Sequence, residues 1–509
     1  MILNPRNPVR ILRICTICVL SLMTFWGLAQ VFVIIKPFWG DEWRLIYNIK
    51  FKSPAELWGA LEYTQQFPRV YLQIMKALMS WLGYSYISLR LPSLCIGIIT
   101  MLCSYRVMNK IFTTDSVTRF FFVFLIVSSI TFLDYYVQVK QYTMEILLSV
   151  LAVWQMSEII DIGFGRSPGK WMYLVLCISF FAAPFFSYTY PIAAAPVFIV
   201  GFLQLFIFSK GDISTRQKLL LTVRQWVPLL LCAMGILVFY VIDVSKLMAD
   251  PEMHGYWNYR MITGGSGFFF VAGKLWDLFA QRGSGLIFEI IIGIVGTCAF
   301  FYGVIGWLRM RWKPVLETID LLRLYSIFVV VLTICLFFAA KIPIEPKFNV
   351  YTTPSIAILI IGLMDAVLAQ ERFRKWAVII IAVMYLQLVG NFVVTSINQF
   401  TGPEYAKRIR IYKATEKAIK EAQRSKLPIM VTAGVAFPDA ITNYVPNMAP
   451  ILAASVLKCF PAYDNAQNLP VYTLDDMSDI RGNVKNLPSS VLFVMAGDGL
   501  TYQIVKRAD

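Results

Sequence analysis

The stretch Arg323-Leu-Tyr-Ser-Ile-Phe-Val-Val-Val-Leu-Thr-Ile-Cys-Leu-Phe-Phe-Ala-Ala340 decides the fold class. After its arginine it carries no charge, and its apolar residues run on without the alternation of a barrel strand. Within lipid the backbone has to satisfy its own hydrogen bonds, so a run of this length and character reads as a membrane-crossing α-helix. Working outward, the same reading applies to residues 11–35, 87–108, 119–133, 142–160, 171–187, 192–208, 226–244, 285–307, 350–368 and 376–394, which makes about eleven spans. Only Ser187-Tyr-Thr-Tyr-Pro191 separates the fifth from the sixth.

Composition agrees. The 509 residues are 58% hydrophobic and 15% charged, where a soluble domain is about one-quarter charged. No soluble fold hides that much apolar surface. The net charge of +16 does not indicate nucleic acid, because Lys and Arg cluster between apolar runs and form no basic face of a soluble domain. They follow the positive-inside pattern instead. With the N-terminus in the cytoplasm, Arg106, Lys110, Arg119, Arg166, Lys170, Lys210, Arg216, Lys218 and Arg224 fall on that side, as do Arg309, Arg311, Lys313, Arg323, Arg372, Arg374 and Lys375. The C-terminal segment is then extracytoplasmic. The first run follows Arg6, Arg10 and Arg13, is long for a signal-peptide core and lacks a small-residue cleavage site before Lys36, so it reads as a retained span. Eight of the nine cysteines lie in or beside apolar segments and read as small core residues rather than a disulfide framework.

Two domains follow: residues 1–394, with outer loops 36–86 and 245–284, and an α/β domain over 395–509. The first loop predicts two helices, one starting at Ser53-Pro54-Ala-Glu56 with a capping-box pattern and one after Pro68. Pro403 to Lys426 predicts a charged amphipathic helix, and Ile429–Thr432 and Ser490–Met495 predict strands. Gly264-Gly265-Ser266-Gly267 reads as a hinge or lid, since no strand precedes it as a phosphate loop requires.

Chemistry is sought in the outer connections. Phe38-Trp-Gly-Asp41-Glu42-Trp43 sets two carboxylates among aromatics directly after a span, either as functional groups or with Asp41 capping the next helix. Asp134-Tyr-Tyr136-Val-Gln138-Val-Lys140-Gln141-Tyr142 leaves Lys140 at the outer end of a helix, where it either binds an anionic group or snorkels. Lys341-Ile-Pro343-Ile-Glu345-Pro346-Lys347-Phe348 adds charge on the same face, or is an ordinary turn. His254, the sole histidine, lies between ordinary surface exposure and an incomplete cation site with Asp250 and Glu252. With one histidine, Ser-His-Asp and Cys-His catalysis are disfavoured and a carboxylate mechanism remains.

In order, these elements resemble the polyprenyl-phosphate-sugar-dependent glycosyltransferases with the GT-C fold, especially bacterial relatives of the protein O-mannosyltransferases and of the lipid A aminoarabinose transferase. The resemblance covers about residues 20–365. Asp41-Glu42 stands where that family has its acidic pair. Pro68-Arg-Val-Tyr71-Leu, Leu82-Gly83 and Leu89-Arg90-Leu91-Pro92-Ser93 resemble the approach to its second span, and Gln138 to Tyr142 its third-to-fourth connection. Gln138 departs from an often acidic position and Lys347-Phe348 from a common Arg-Tyr pair, which leaves Asp134 or Glu345 to stand in as a second carboxylate.

The resemblance implies transfer of a sugar, with inversion, from a polyprenyl-phosphate carrier to an extracytoplasmic glycan, lipid or protein, in a plasma (bacterial inner) membrane and without soluble nucleotide sugar. Asp41 is then the base and Glu42 its support. Lys140, Arg90 and Lys347 are candidates for the donor phosphate, and Tyr142, Asp134 and Glu345 for substrate contact. No cofactor is specified, no metal site is indicated, and dependence on a divalent metal stays open. A transporter or lipid flippase is the rival from another class, though mid-span charges are sparse. A non-catalytic scaffold presenting the C-terminal domain is a third reading.

Overall fold

A computed structural model describes residues 6–34, 38, 40–63, 65–166, 168–206, 215–248, 268–280, 286–310, 316–339, 344–345, 347–432, 458–461, 463, 471–474, 490–496 and 500–506. These divide into two compact units. The larger lies within Met1–Leu28, Gln66–Tyr71 and Pro92–Ser396, the smaller within Ala29–Gln65, Leu72–Leu91 and Ile397–Asp509.

The helices begin with α1 (Arg6–Phe32), α2 (Gly40–Phe51), α3 (Arg69–Leu82), α4 (Tyr86–Ile111), α5 (Phe120–Val127), α6 (Ile130–Tyr135), α7 (Tyr142–Gly163), α8 (Lys170–Ala182) and α9 (Tyr190–Phe206). They continue with α10 (Thr215–Phe239), α11 (Ser245–Met248), α12 (Phe268–Ala280), α13 (Leu286–Met310), α14 (Thr318–Ala339), α15 (Thr353–Leu368), α16 (Glu371–Thr401) and α17 (Pro403–Ser425). A π-helical turn, Tyr240–Val244, joins α10 to α11.

Among the described residues eight helices are long and apolar enough to cross a membrane, and Lys170–Phe186 and Tyr190–Leu205 are shorter apolar helices. Phe25, Trp171, Leu230, Leu308 and Leu386 stand exposed on such helices, as lipid-facing side chains do. The chain is an α-helical polytopic integral membrane protein. The expected span 119–133 is not one helix. It breaks at Ser128-Ser129, where Ser129 turns extended and its hydroxyl accepts the amide of Phe132 to cap α6. The Ser128 carbonyl freed by the break accepts a bond from Asn391 Nδ2 of α16 at 2.7 Å, so a buried backbone group keeps a partner.

Polar side chains tie the larger unit together. Tyr190 donates to Gln155 Oε1 at 2.7 Å, Gln155 Nε2 donates to Ser179 at 2.9 Å, and Gln204 Nε2 donates to the Ile160 carbonyl at 2.9 Å. At Gly235 the backbones of α8 and α10 come so close that a Cβ would lie 2.3 Å from the Phe181 carbonyl oxygen. Arg166 pairs with Asp161 at 2.9 Å and reaches Thr318 at 2.8 Å, and Lys110 pairs with Glu158 and Asp161. The end of α4, the end of α7 and the start of α14 therefore share one face.

In the smaller unit Ser53 and Glu56 form the expected reciprocal cap, Ser53 N to Glu56 Oε2 at 2.7 Å and Glu56 N to Ser53 Oγ at 3.3 Å. The helix that follows is only the 3-10 turn Glu56–Trp58, closed at Gly59. The longer helices of the 36–86 loop are α2, ahead of it, and α3, which starts at Arg69 after Pro68 as expected. Strands β1 (Ile429–Thr432), β2 (Val471–Leu474), β3 (Ser490–Ala496) and β4 (Leu500–Lys506) form a sheet of order β2-β1-β3-β4. β1 pairs parallel with β2 and β3, β3 pairs antiparallel with β4, and α17 packs against β3 and β4.

Candidate active site

Asp41 and Glu42 lie in the first turn of α2, which begins at Gly40. Asp41 is thus inside the helix rather than at its cap, and both acids face the positive end of the helix dipole. Their surroundings differ. The Asp41 side chain is 36% exposed and 3.8 Å from Arg44. Glu42 is 1% exposed, with Oε2 3.8 Å from Nη2 of Arg90, itself 2% exposed.

Aromatic rings enclose that pair. The Arg90 guanidinium lies over the Phe38 ring at 4.5 Å, a cation–π contact in a desolvated place. Phe38 stacks on Tyr86 at 4.8 Å and meets Trp43 edge-on at 4.9 Å. Trp43 stacks on Phe460 at 4.7 Å, and Phe460 stacks on Tyr412 of α17 at 5.3 Å. Burial pushes the Tyr412 hydroxyl far above the ordinary tyrosine value. It is neutral throughout the physiological range.

The C-terminal carbonyls of α2, orphaned by the helix end, are taken by Lys76 of α3, whose Nζ donates to Ile49 O at 2.7 Å and Lys50 O at 3.0 Å. Burial pulls that ammonium below the usual lysine range. Asn48 fixes the next loop segment by donating to Glu62 O at 3.1 Å and accepting from Glu62 N at 2.8 Å.

The remaining sequence-derived candidates fall in the larger unit. Lys140 is buried and its amide donates to Gln138 O at 2.8 Å. Tyr142 packs on Tyr135 at 4.5 Å and on Phe348 at 6.4 Å, which joins the 135–142 stretch to the 345–349 turn. There Lys347 lies 3.6 Å from Glu345 and over the Phe348 ring at 4.8 Å. Asp134 is half-buried in the last turn of α6. Tyr142, far in sequence from Glu345 and Lys347, thus shares their neighbourhood. Trp39, Lys341, His254 and Gly264–Gly267 lie outside the described residues. Among those described, no three His, Cys, Asp or Glu side chains gather as a metal site would require.

Sequence reasoning missed a second buried acid. Asp243, in the π-turn, accepts the Arg69 amide on Oδ2 and the Tyr188 hydroxyl on Oδ1, both at 2.8 Å. Its Oδ1 lies 4.0 Å from Arg69 Nε. Tyr188 also reaches Phe67 O at 3.1 Å. An ionisable residue within the apolar run 226–244 was the available signal, and π-turns often mark functional places. Phe460 carried no signal of its own.

No protein-family model matches the chain, and no curated protein sequence does. Solved structures resemble it. ArnT from Cupriavidus metallidurans bound to undecaprenyl phosphate is 13% identical, with 95% of this chain and 93% of that chain covered at a TM-score of 0.46. The oligosaccharyltransferase of Archaeoglobus fulgidus in complex with zinc and sulfate is 12% identical, with 96% and 73% covered at 0.42.

Proposed function

We propose that this protein is a membrane glycosyltransferase that moves a sugar from a polyprenyl-phosphate carrier to an extracytoplasmic acceptor, with inversion at the sugar carbon. The observation that carries the reading is an accessible carboxylate, Asp41, next in sequence to the buried Glu42–Arg90 pair, on a helix that follows a membrane span. Transfer needs a base for the acceptor and positive charge for the leaving phosphate. The acceptor O–H or N–H proton passes to Asp41 as the new bond to the sugar carbon forms. The bond from that carbon to the carrier phosphate breaks, and the electron pair leaves with the lipid phosphate. Lys140 and Lys347 supply charge to that phosphate, and Arg90 adds its own from the buried position beside Glu42. Tyr142, Asp134 and Glu345 contact the substrates.

The purified protein, assayed with a panel of polyprenyl-phosphate sugars and with glycan, lipid and protein acceptors, is expected to give both transfer and release of lipid phosphate with one donor. No release from any donor would defeat the enzyme reading. Lys140→Ala is expected to weaken donor use more than acceptor use, and an unchanged donor dependence and turnover would remove it from the site.

The flippase reading has one observation in its favour: Glu145 is a buried carboxylate within the apolar helix α7, its Oε2 without a hydrogen-bond partner among the described residues, and ionisable residues inside spans mark ion or substrate paths. Movement of a lipid-linked sugar without bond breakage would favour it. The topology proposed is a cytoplasmic N-terminus, a membrane part over 1–394 and an extracytoplasmic domain over 395–509, in a plasma membrane. Cysteine labelling that reaches the Asp41 loop and the C-terminal domain from opposite sides would refute it.

A further inference from the structure

We infer that the turn around Phe460, contributed by the C-terminal segment, is a positioning clamp that sets the carboxylate-bearing helix α2 for sugar transfer. The inference rests on the assignment of Asp41 and Glu42 to the reaction.

Four contacts made by residues 458–460 reach α2, Tyr84 and α17. Phe460 is buried between Trp43 and Tyr412, its ring nearly parallel to both, at 20° and 16°. Trp43 is next in sequence to Glu42, so the stack holds the helix turn from which both carboxylates project. At the other end of α2, Lys50 Nζ donates to Lys458 O at 2.8 Å while lying 4.2 Å from the centre of the Tyr84 ring. The Tyr84 hydroxyl donates to Cys459 O. Two consecutive carbonyls of the turn are thereby held by two side chains of the first outer loop.

α2 has only 12 residues, and a helix that short is marginal without tertiary packing. Its orientation therefore depends on what it packs against. Part of that packing comes from a turn more than 400 residues away in the chain, Lys458 against Lys50. A carboxylate that acts as a base must be placed to within a fraction of an ångström. A ring wedged beside Trp43 supplies that restraint without touching substrate, which makes Phe460 a positioning residue.

The test uses the full-length protein in lipid nanodiscs, with hydrogen exchange of the α2 amides and steady-state transfer kinetics read on the same samples. Phe460→Ala is expected to speed exchange across α2 by about tenfold, the scale of two lost aromatic contacts. It should lower kcat by about tenfold or more with donor KM within about twofold. Phe460→Tyr, which keeps the ring, is expected to recover most of both.

Unchanged protection of α2 in Phe460→Ala would overturn the clamp, whatever the kinetics. Faster exchange with unaltered kcat would overturn its part in the reaction. Should Phe460→Ala lose protection throughout the membrane helices, Tyr84→Phe, which removes only the bond to Cys459 O, is read by the same criteria with a smaller effect. If the wild-type protein transfers from no donor, the enzyme reading fails, and α2 exchange still decides whether the turn holds the helix.

Discussion

Glu42 with Arg90, and Asp243 with Arg69, are both carboxylate–guanidinium pairs buried to within 2% exposure, yet their polar atoms are used differently. Asp243 receives a backbone amide and a tyrosine hydroxyl at 2.8 Å, and Arg69 Nη1 donates to Phe67 O at 3.0 Å. Arg90 makes no hydrogen bond with any of its three nitrogens among the described residues, and meets Glu42 only at 3.8 Å and the Phe38 face at 4.5 Å. The first arrangement ties the start of α3 to the π-turn. The second leaves donors of a buried cation without a hydrogen bond among the described residues, which is costly for stability alone and motivates its proposed role toward the leaving phosphate.

Asp41→Asn is the largest test of that contrast. It keeps shape and removes the proposed base, so transfer is expected to fall by about a hundred- to ten-thousandfold with folding and donor binding nearly intact. Glu42→Gln should lose less, and a larger loss there would exchange their roles. Near-normal turnover in both would break the comparison by removing carboxylate chemistry from this region.

Arg90→Ala removes the buried cation beside Glu42 and is expected to cost about 3–5 kcal/mol in unfolding free energy. Arg90→Lys keeps the charge but loses the planar guanidinium over Phe38, and should fall between Arg90→Ala and the wild type. A negligible shift in thermal unfolding for Arg90→Ala would show that the pair contributes nothing to the fold.

Asp243→Asn presents an amide where one of two donors points and is expected to cost about 1–3 kcal/mol, with kcat changed far less than by Asp41→Asn. A loss of turnover equal to that of Asp41→Asn, in a protein of unaltered melting temperature, would move Asp243 from tie to catalysis. Tyr188→Phe removes one donor only, and about 0.5–1.5 kcal/mol in thermal unfolding is the expected effect.

Much of the architecture could be read before any coordinates. Apolar runs such as 142–160 and 350–368 appear as α7 and α15 within a few residues, and the patterns at 403–426, 429–432 and 490–495 appear as α17, β1 and β3. The 119–133 run is not a single helix because hydropathy counts apolar residues and does not register that Ser128-Ser129 can end one helix and cap the next when Asn391 donates to the freed carbonyl. The capping box at Ser53 was correctly read but opened only one turn, since Gly59 closes it.

The sequence by itself determined that this is a helical membrane protein, and it singled out Asp41 and Glu42, because period, charge and position relative to a span are local properties of a chain. Only the tertiary structure decided that Asp41 is accessible while Glu42 is buried against Arg90. It alone joined Tyr142 to the Lys347 turn through Phe348, set Asp243 on the Arg69 amide, and wedged Phe460 beside Trp43. Each of these rests on partners between about fifty and four hundred residues apart, and burial and hydrogen bonding at such separation follow from packing, which no local pattern of residues encodes.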